Sequence, residues 1–288
     1  YGMMLWGNMN HSYLQSSMGY MDGSDFSGIS HKSRGWNQPR LVGYMESHDE
    51  ERMMFKNLSW GNGTGAYQIT NMETALRRAE LSTLFFLTVP GPKMIWQFGE
   101  MGYDYSIDYD CRVCEKPVRW DYMDEPARKH LYKFYGELAK LRKSHPIFQT
   151  NNFNISANSK VKKITFEYAN TVAVLIGNFD VVSQEYTPDL SASETWYSYF
   201  EGNQVISNDT TFILHPGRYK LLITEQLEAP SFPDYPEIST IDIWGDAKVN
   251  DTLYGIYTYF DLNGDNEGNS LYQWYRSDDS LGTNKTLI

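Results

Sequence analysis

The chain has 288 residues, enough for two domains and a piece of a third. Apolar residues make up 41% of it, which suits globular cores, and no apolar run reaches the ~20 residues needed to cross a bilayer. Lys+Arg number 25 against Asp+Glu 36, a formal net charge of −11, which argues against nucleic acid and anionic membranes as partners because both select a basic face.

Residues 4–20, MLWGNMNHSYLQSSMGY, space Leu5, Met9, Tyr13, Leu14 and Met18 at near-helical intervals and end at Gly19, which predicts one helix. A Gly/Ser/Asp loop runs to Pro39. LVGYM, from Leu41, is short, apolar and bounded by turn signals, so it reads as a buried strand. The next strong helical pattern covers Met72 to Leu87 and is stopped by Pro90, Gly91 and Pro92. KMIWQF follows as a second buried strand. A last helix begins at Pro126, where no N–H is needed, and sets Leu131, Phe134, Leu138 and Leu141 on one face. Helix, strand, helix, strand, helix is a βα repeat, with parallel strands under covering helices.

After Pro146 the texture changes to short β-rich runs (KITFEYA, TVAVLIGNF, TWYSYF, TFILHPGRYKLLI) separated by Asn, Asp, Ser and Gly, the pattern of an antiparallel β domain. EQLEAPSFPDYP, residues 225–236, holds three prolines and reads as a linker. The remainder carries three or four strands, too few for a sandwich of about seven, which predicts a truncated module. The chain opens on Tyr1 and closes in mid-pattern on GTNKTLI, as a piece of a longer protein would.

The chemistry concentrates in GYMESHDEER. Parallel sheets place reactive groups at the C-terminal ends of their strands, and Glu46-Ser47-His48-Asp49 stands at such an end. A carboxylate beside an imidazole, with Arg52 three residues on, suits stabilisation of developing positive charge, as in an oxocarbenium-like sugar transition state. The arginine favours the charged form of a neighbouring carboxylate. A solvated acidic loop capping the next helix explains the same residues equally well. Aromatic content of 15%, with Tyr 22 and Trp 8, leans slightly toward sugar stacking, although Tyr-rich sheets share it. Trp36, Trp60 and Tyr103 are candidate stacking rings, whereas Trp96 reads as buried in its strand. CRVC, with Cys111 and Cys114, reads as two loop thiols or a local disulfide ahead of a metal or redox site. DLNGDNEG, residues 261–268, has the alternating oxygens of a calcium loop but the glycine and glutamate spacing of neither half of an EF-hand, so a hairpin turn is the stronger reading.

Two stretches, in order and with a helix between them, resemble the alpha-amylase family of glycoside hydrolases (glycoside hydrolase family thirteen). GYMESHDEER resembles the end of the family's seventh barrel strand, Glu/Asp-Asn-His-Asp with a following Arg; Ser47 replaces the common Asn. LTVPGPKMIWQFGEMGYD resembles the eighth strand and its Gly-x-Glu turn, here Phe98-Gly99-Glu100 with the glycine displaced by one. The resemblance covers residues 1–225. It implies an α/β plus all-β chain: the C-terminal part of a (β/α)8 TIM barrel with its last two strands (1–145), an antiparallel β-sandwich (146–224), the linker (225–236) and the start of an Ig-like module (237–288). Trp274 would be core in that module.

The resemblance further implies roles. Asp49 would be the family's third catalytic carboxylate, and His48 would bind sugar hydroxyls in the same subsite. Arg52 and Glu100 would support the strand ends. Glu46 has no assigned role, and Glu50 and Glu51 are expected at the solvated surface. No residue is assigned to a metal and no cofactor to this chain, with calcium a companion of the full-length enzyme. The nucleophile and the acid/base carboxylate, about 5–5.5 Å apart in retaining enzymes, belong to the fourth and fifth strands, and PVRWD, the nearest lookalike, lacks the required Gly. The implied activity is retaining hydrolysis of α-1,4 bonds in starch- or glycogen-like glucans, with an α-glucan as partner, an extracellular or bacterial cell-surface location, and no turnover by this chain alone. The alternatives are a branching enzyme or transglycosylase of the same family, or a non-catalytic α-glucan-binding protein.

Overall fold

The first apolar stretch is not one helix. In the computed structural model, which describes residues 2–230, 237–260, 267–268, 270–276 and 279–287, Leu5–Asn8 is a strand, β1. It pairs in parallel with β2, Leu41–Tyr44, from Leu5 opposite Leu41 to Asn8 opposite Tyr44. Helix α1, Asn10–Ser17, starts only after Asn8, whose side-chain oxygen accepts the Asn10 N–H at 2.9 Å. Apolar spacing alone cannot tell four strand residues from a first helical turn; the distant partner β2 decides.

KMIWQF also departs from the expected strand. It joins β2 through a single parallel bridge, Gly43 to Lys93, with hydrogen bonds of 3.1 Å from Gly43 N–H to the Pro92 carbonyl and 3.0 Å from Met94 N–H to the Gly43 carbonyl. Among the described residues nothing pairs with its other edge, so Ile95 is exposed and Trp96 only half-buried. Three segments therefore run parallel where the sequence suggested two. Gly43 lets Ile29 close over β2, since a Cβ there would lie 2.3 Å from the Ile29 side chain.

The helices that cover these strands are α1, α2 (Met53–Trp60), α3 (Met72–Leu87) and α4 (Pro126–Ser144), with the short hairpin β3 (Gly63–Thr64) and β4 (Tyr67–Gln68) before α3. The two longest were legible. Asn71 caps α3 by accepting the Glu73 N–H at 3.0 Å, α4 starts at Pro126, and Leu131, Phe134, Leu138 and Leu141 are all buried. None of the described helices is long and apolar enough to cross a membrane.

Eight strands follow: β5 (Phe153–Ser156), β6 (Val161–Tyr168), β7 (Thr171–Asn178), β8 (Gln184–Tyr186), β9 (Trp196–Ser198), β10 (Gln204–Ile206), β11 (Phe212–Leu214) and β12 (Tyr219–Ile223). Six form an antiparallel sheet in the order β10-β9-β12-β7-β6-β5, and β8 pairs with β11. The central sheet is apolar on both faces because both are covered. Alternation along β7 sends Ala173 and Leu175 into a core shared with α3 and α4, and Val174 and Ile176 into a second core with Trp196 and Leu214.

Polar groups lock the helices to this sheet. The wholly buried Arg78 of α3 donates to the carbonyls of Ser16 and Ser17 on one side and Asn178, Phe179 and Asp180 on the other, at 2.6–3.3 Å. The Tyr199 hydroxyl donates to Glu137 at 2.9 Å and that of Tyr219 to Glu80 at 2.5 Å. The Lys162 ammonium, fully buried, reaches Ser24 and the Ala157 carbonyl. The regions expected as 1–145 and 146–224 are thereby one compact unit, Tyr1–Phe232.

The second unit, Pro233–Ile288, contains β13 (Glu237–Trp244), β14 (Leu253–Phe260), β15 (Trp274–Arg276), β16 (Asp279–Gly282) and β17 (Thr286–Leu287). β13-β14-β17 is one antiparallel sheet and β15-β16 a hairpin. Trp274 is core, its indole N–H donating to the Asn284 carbonyl at 2.7 Å. Residues 231–236 of the linker and 261–266 of DLNGDNEG lie outside the described residues.

Candidate active site

The C-terminal end of β2 gives each residue of ESHDEER a different direction. Glu46 turns inward and is buried; one carboxylate oxygen accepts the Met53 N–H at 2.6 Å, the first residue of α2. The other pairs with the buried Arg52 at 3.1 Å. A carboxylate at a helix N-terminus is favourable because the unpaired N–H groups there carry partial positive charge. Arg52 continues to the Gln97 carbonyl at 2.8 Å and lies 4.7 Å over the Tyr103 ring. The helix-capping reading of this loop is thus correct for Glu46, and it does not extend to its neighbours.

His48 and Asp49 point the other way. Their side chains are 55% and 71% exposed, with His48 Nε2 3.2 Å from Asp49 Oδ2. They line a cleft of about 460 Å³ with Trp96, Tyr103, Tyr105, Arg112 and Lys116. The His48 ring lies 5.7 Å from Trp96 at 47°, so this indole is a wall of the cleft. Trp36 and Trp60 do not line it.

Glu50 and Glu51, expected at the solvated surface, are half-buried and engaged. Glu50 accepts from Asn8 of β1 and from Ser47. Glu51 accepts from Ser106 Oγ and the Ile107 N–H, both at 2.8 Å. Their partners lie 42 and 55 positions away, which no local pattern reports.

The turn after the Lys93 bridge meets this loop from behind. Gly99 is required by contact: a Cβ would stand 2.6 Å from Glu46 Oε2. Phe98, one residue earlier, adopts φ 60°, a left-handed conformation usually left to glycine, and is held there by stacking on Tyr103 and an edge contact with Trp120. Glu100 is half-buried. Burial and the Glu46 carboxylate push its pKa up, against its own backbone hydrogen bond and Arg52.

Cys111 and Cys114 form a disulfide within the loop that walls the cleft. Among the described residues no group of three His, Cys, Asp or Glu side chains is placed to hold a metal ion.

No family model matches the chain. Among curated proteins, a cyclomaltodextrinase of a Bacillus species is 29% identical over 143 residues, 48% of this chain and 24% of that protein. The chain spans about a quarter of the length of this relative. Solved structures share the fold at low identity: AmyP in complex with maltose (TM-score 0.53, 14% identical, covering 77% of this chain and 49% of that one), a pullulanase from Bacillus acidopullulyticus (0.56, 15%, 77% and 30%) and the cyclomaltodextrin glucanotransferase CldA (0.54, 13%, 76% and 44%). The chain resembles alpha-amylase-type glycoside hydrolases in fold and, over 143 residues, in sequence. The four residues singled out by the motifs separate by burial. His48 and Asp49 are exposed in the cleft; Arg52, which also reaches its wall, is buried in its pair with Glu46, and Glu100 is half-buried near both. Glu46 and Arg112 escaped sequence reasoning: the first because its partner is six residues away across a turn, the second because it sits in a separate loop.

Proposed function

We propose that β1, β2 and the segment bridged at Lys93 are the last three parallel strands of a (β/α)8 barrel, and that the cleft at their C-terminal ends is one wall of an α-glucan site. The observation that carries this reading is the opposed pair of directions at one strand end. Glu46 is spent on structure, and the side chains of His48 and Asp49 are left exposed beside each other. An exposed carboxylate beside an imidazole and an indole can hydrogen-bond sugar hydroxyls and stabilise positive charge growing on the ring. The reaction is retaining hydrolysis of α-1,4-glucosidic bonds, with the nucleophile and the acid/base supplied by barrel strands this chain does not contain. The glucanotransferase fold neighbour keeps transfer to a sugar acceptor as a second reading; product analysis in the presence of added maltose separates transfer from hydrolysis. From the polymeric substrate class and the module after the linker we infer a location outside the cell or on its surface.

Titration with maltotriose, followed by NMR of the His48 ring and the Trp96 indole, tests the site. Saturable shifts at both are expected, and they should be lost in Asp49→Ala. Shifts confined to residues outside the cleft would refute the placement.

A further inference from the structure

Asp49 is held from outside its own loop by one side chain. Its N–H donates to Ser47 Oγ at 3.1 Å, a contact within the turn. Its carbonyl accepts from Arg112 Nη2 at 2.7 Å, a residue 63 positions further on. The carboxylate lies 3.2 Å from His48 Nε2, and the peptide on which it rides sets where it points.

Arg112 is the second residue of Cys111-Arg112-Val113-Cys114, and the disulfide closes that ring around it. The ring is reinforced from within. The Cys114 N–H donates to the Cys111 carbonyl at 3.2 Å, and Lys116 Nζ donates to the carbonyls of Tyr109, Cys111 and Cys114 at 3.1, 2.7 and 3.2 Å. Asp108 lies 3.5 Å from Arg112 Nη1. The foot of the same loop grips Glu51 through Ser106 and Ile107. That grip does not pass through the disulfide.

We propose that Arg112 is a positioning residue for Asp49 and that the Cys111–Cys114 disulfide holds it in place, so that the orientation of Asp49 depends on the redox state of this loop. The proposal rests on the reading of Asp49 as a sugar-contacting carboxylate. Reduction takes two electrons. A dithiol such as dithiothreitol gives a hydrogen to each cysteine sulfur as the S–S bond breaks, and closes to its own cyclic disulfide. The opened ring then lets Arg112 leave the Asp49 carbonyl, while Glu51 stays anchored. Arg112 is more than half exposed, and its contacts to the Asp49 carbonyl and Asp108 lie at the surface, so losing it leaves the fold intact. Catalysis is more sensitive than stability here, because small displacements of a reacting-site group cost large factors in rate.

The test uses the full-length natural enzyme that contains this chain, with kinetics on a soluble maltooligosaccharide and amide hydrogen exchange of the 46–52 segment. Arg112→Met is expected to lower kcat on the order of 10-fold with KM little changed, given the geometric sensitivity of such sites, and to raise exchange at 46–52. Arg112→Lys should restore part of both. The double variant Cys111→Ser/Cys114→Ser should match the reduced wild type and no longer respond to dithiothreitol. Wild-type kcat and exchange in Arg112→Met and in the reduced enzyme would overturn the proposal. Asp49→Asn separates the two ideas. Exchange that responds to Arg112→Met while Asp49→Asn keeps full activity would remove the catalytic reading and retain the clamp. An inactive Asp49→Asn with an unresponsive Arg112→Met would do the reverse.

Discussion

Two arginine-centred regions of this chain show opposite uses of the same chemistry. At the seam between helices and sheet, Arg78 is wholly buried and donates to five backbone carbonyls. At the cleft, Arg112 is exposed and holds one carbonyl, beside a His48–Asp49 pair left in solvent. The seam pairs a buried guanidinium with carbonyls, as a joint that must not move does. The cleft keeps polar groups wet and free to exchange water for a ligand. Between them, Arg52 and Glu46 belong to the first kind although they stand one turn from the second.

Substitutions should reproduce this division. Arg78→Met leaves five carbonyls without their donor in a dry seam, and a loss of about 3–5 kcal/mol of unfolding free energy is expected from urea denaturation, as for breaking a buried charged network. Glu46→Ala strands the buried Arg52 and uncaps α2; a loss of about 3 kcal/mol is expected by the same measurement.

Lys162 supplies a pH signature of the seam. Burial lowers its pKa from 10.5 to about 8, so between these values the unfolded chain binds more protons than the folded one. Stability from this group is therefore lowest below pH 8 and rises as pH climbs toward 10.5, by about 1–3 kcal/mol. Tyr13 and Tyr199, whose phenols burial pushes up, act in the opposite direction above pH 10. Urea midpoints at pH 7.5 and 9.5 should differ in the wild type, and Lys162→Met should remove that difference. Smallest of all, Asp49→Asn should change stability by less than about 0.5 kcal/mol, as surface substitutions do.

The long helices were readable because each announces itself locally: Asn71 at a cap, Pro126 at a first turn, Leu131 to Leu141 on one face. β1 was not, because four apolar residues become a strand only through β2. Nothing local marks Arg78 for burial; the β domain that buries it comes a hundred residues later. At the site, His48 and Asp49 were legible from a motif and from their place at a strand end. The burial of Glu46, the engagement of Glu50 and Glu51 and the reach of Arg112 were not, since all depend on what the fold brings alongside. The family's displaced glycine is explained only by coordinates: Phe98 takes the left-handed backbone while Gly99 makes room for Glu46.

The most direct measurement is kcat of Asp49→Asn against wild type, in the full-length protein on soluble starch, with the unfolding midpoint recorded on the same samples. A fall of about 10²–10³-fold at an unchanged midpoint is expected of a group that stabilises transition-state charge. Undiminished turnover at that midpoint would mean that Asp49 does not take part in the reaction, and the cleft would have to be read as a surface feature of the fold.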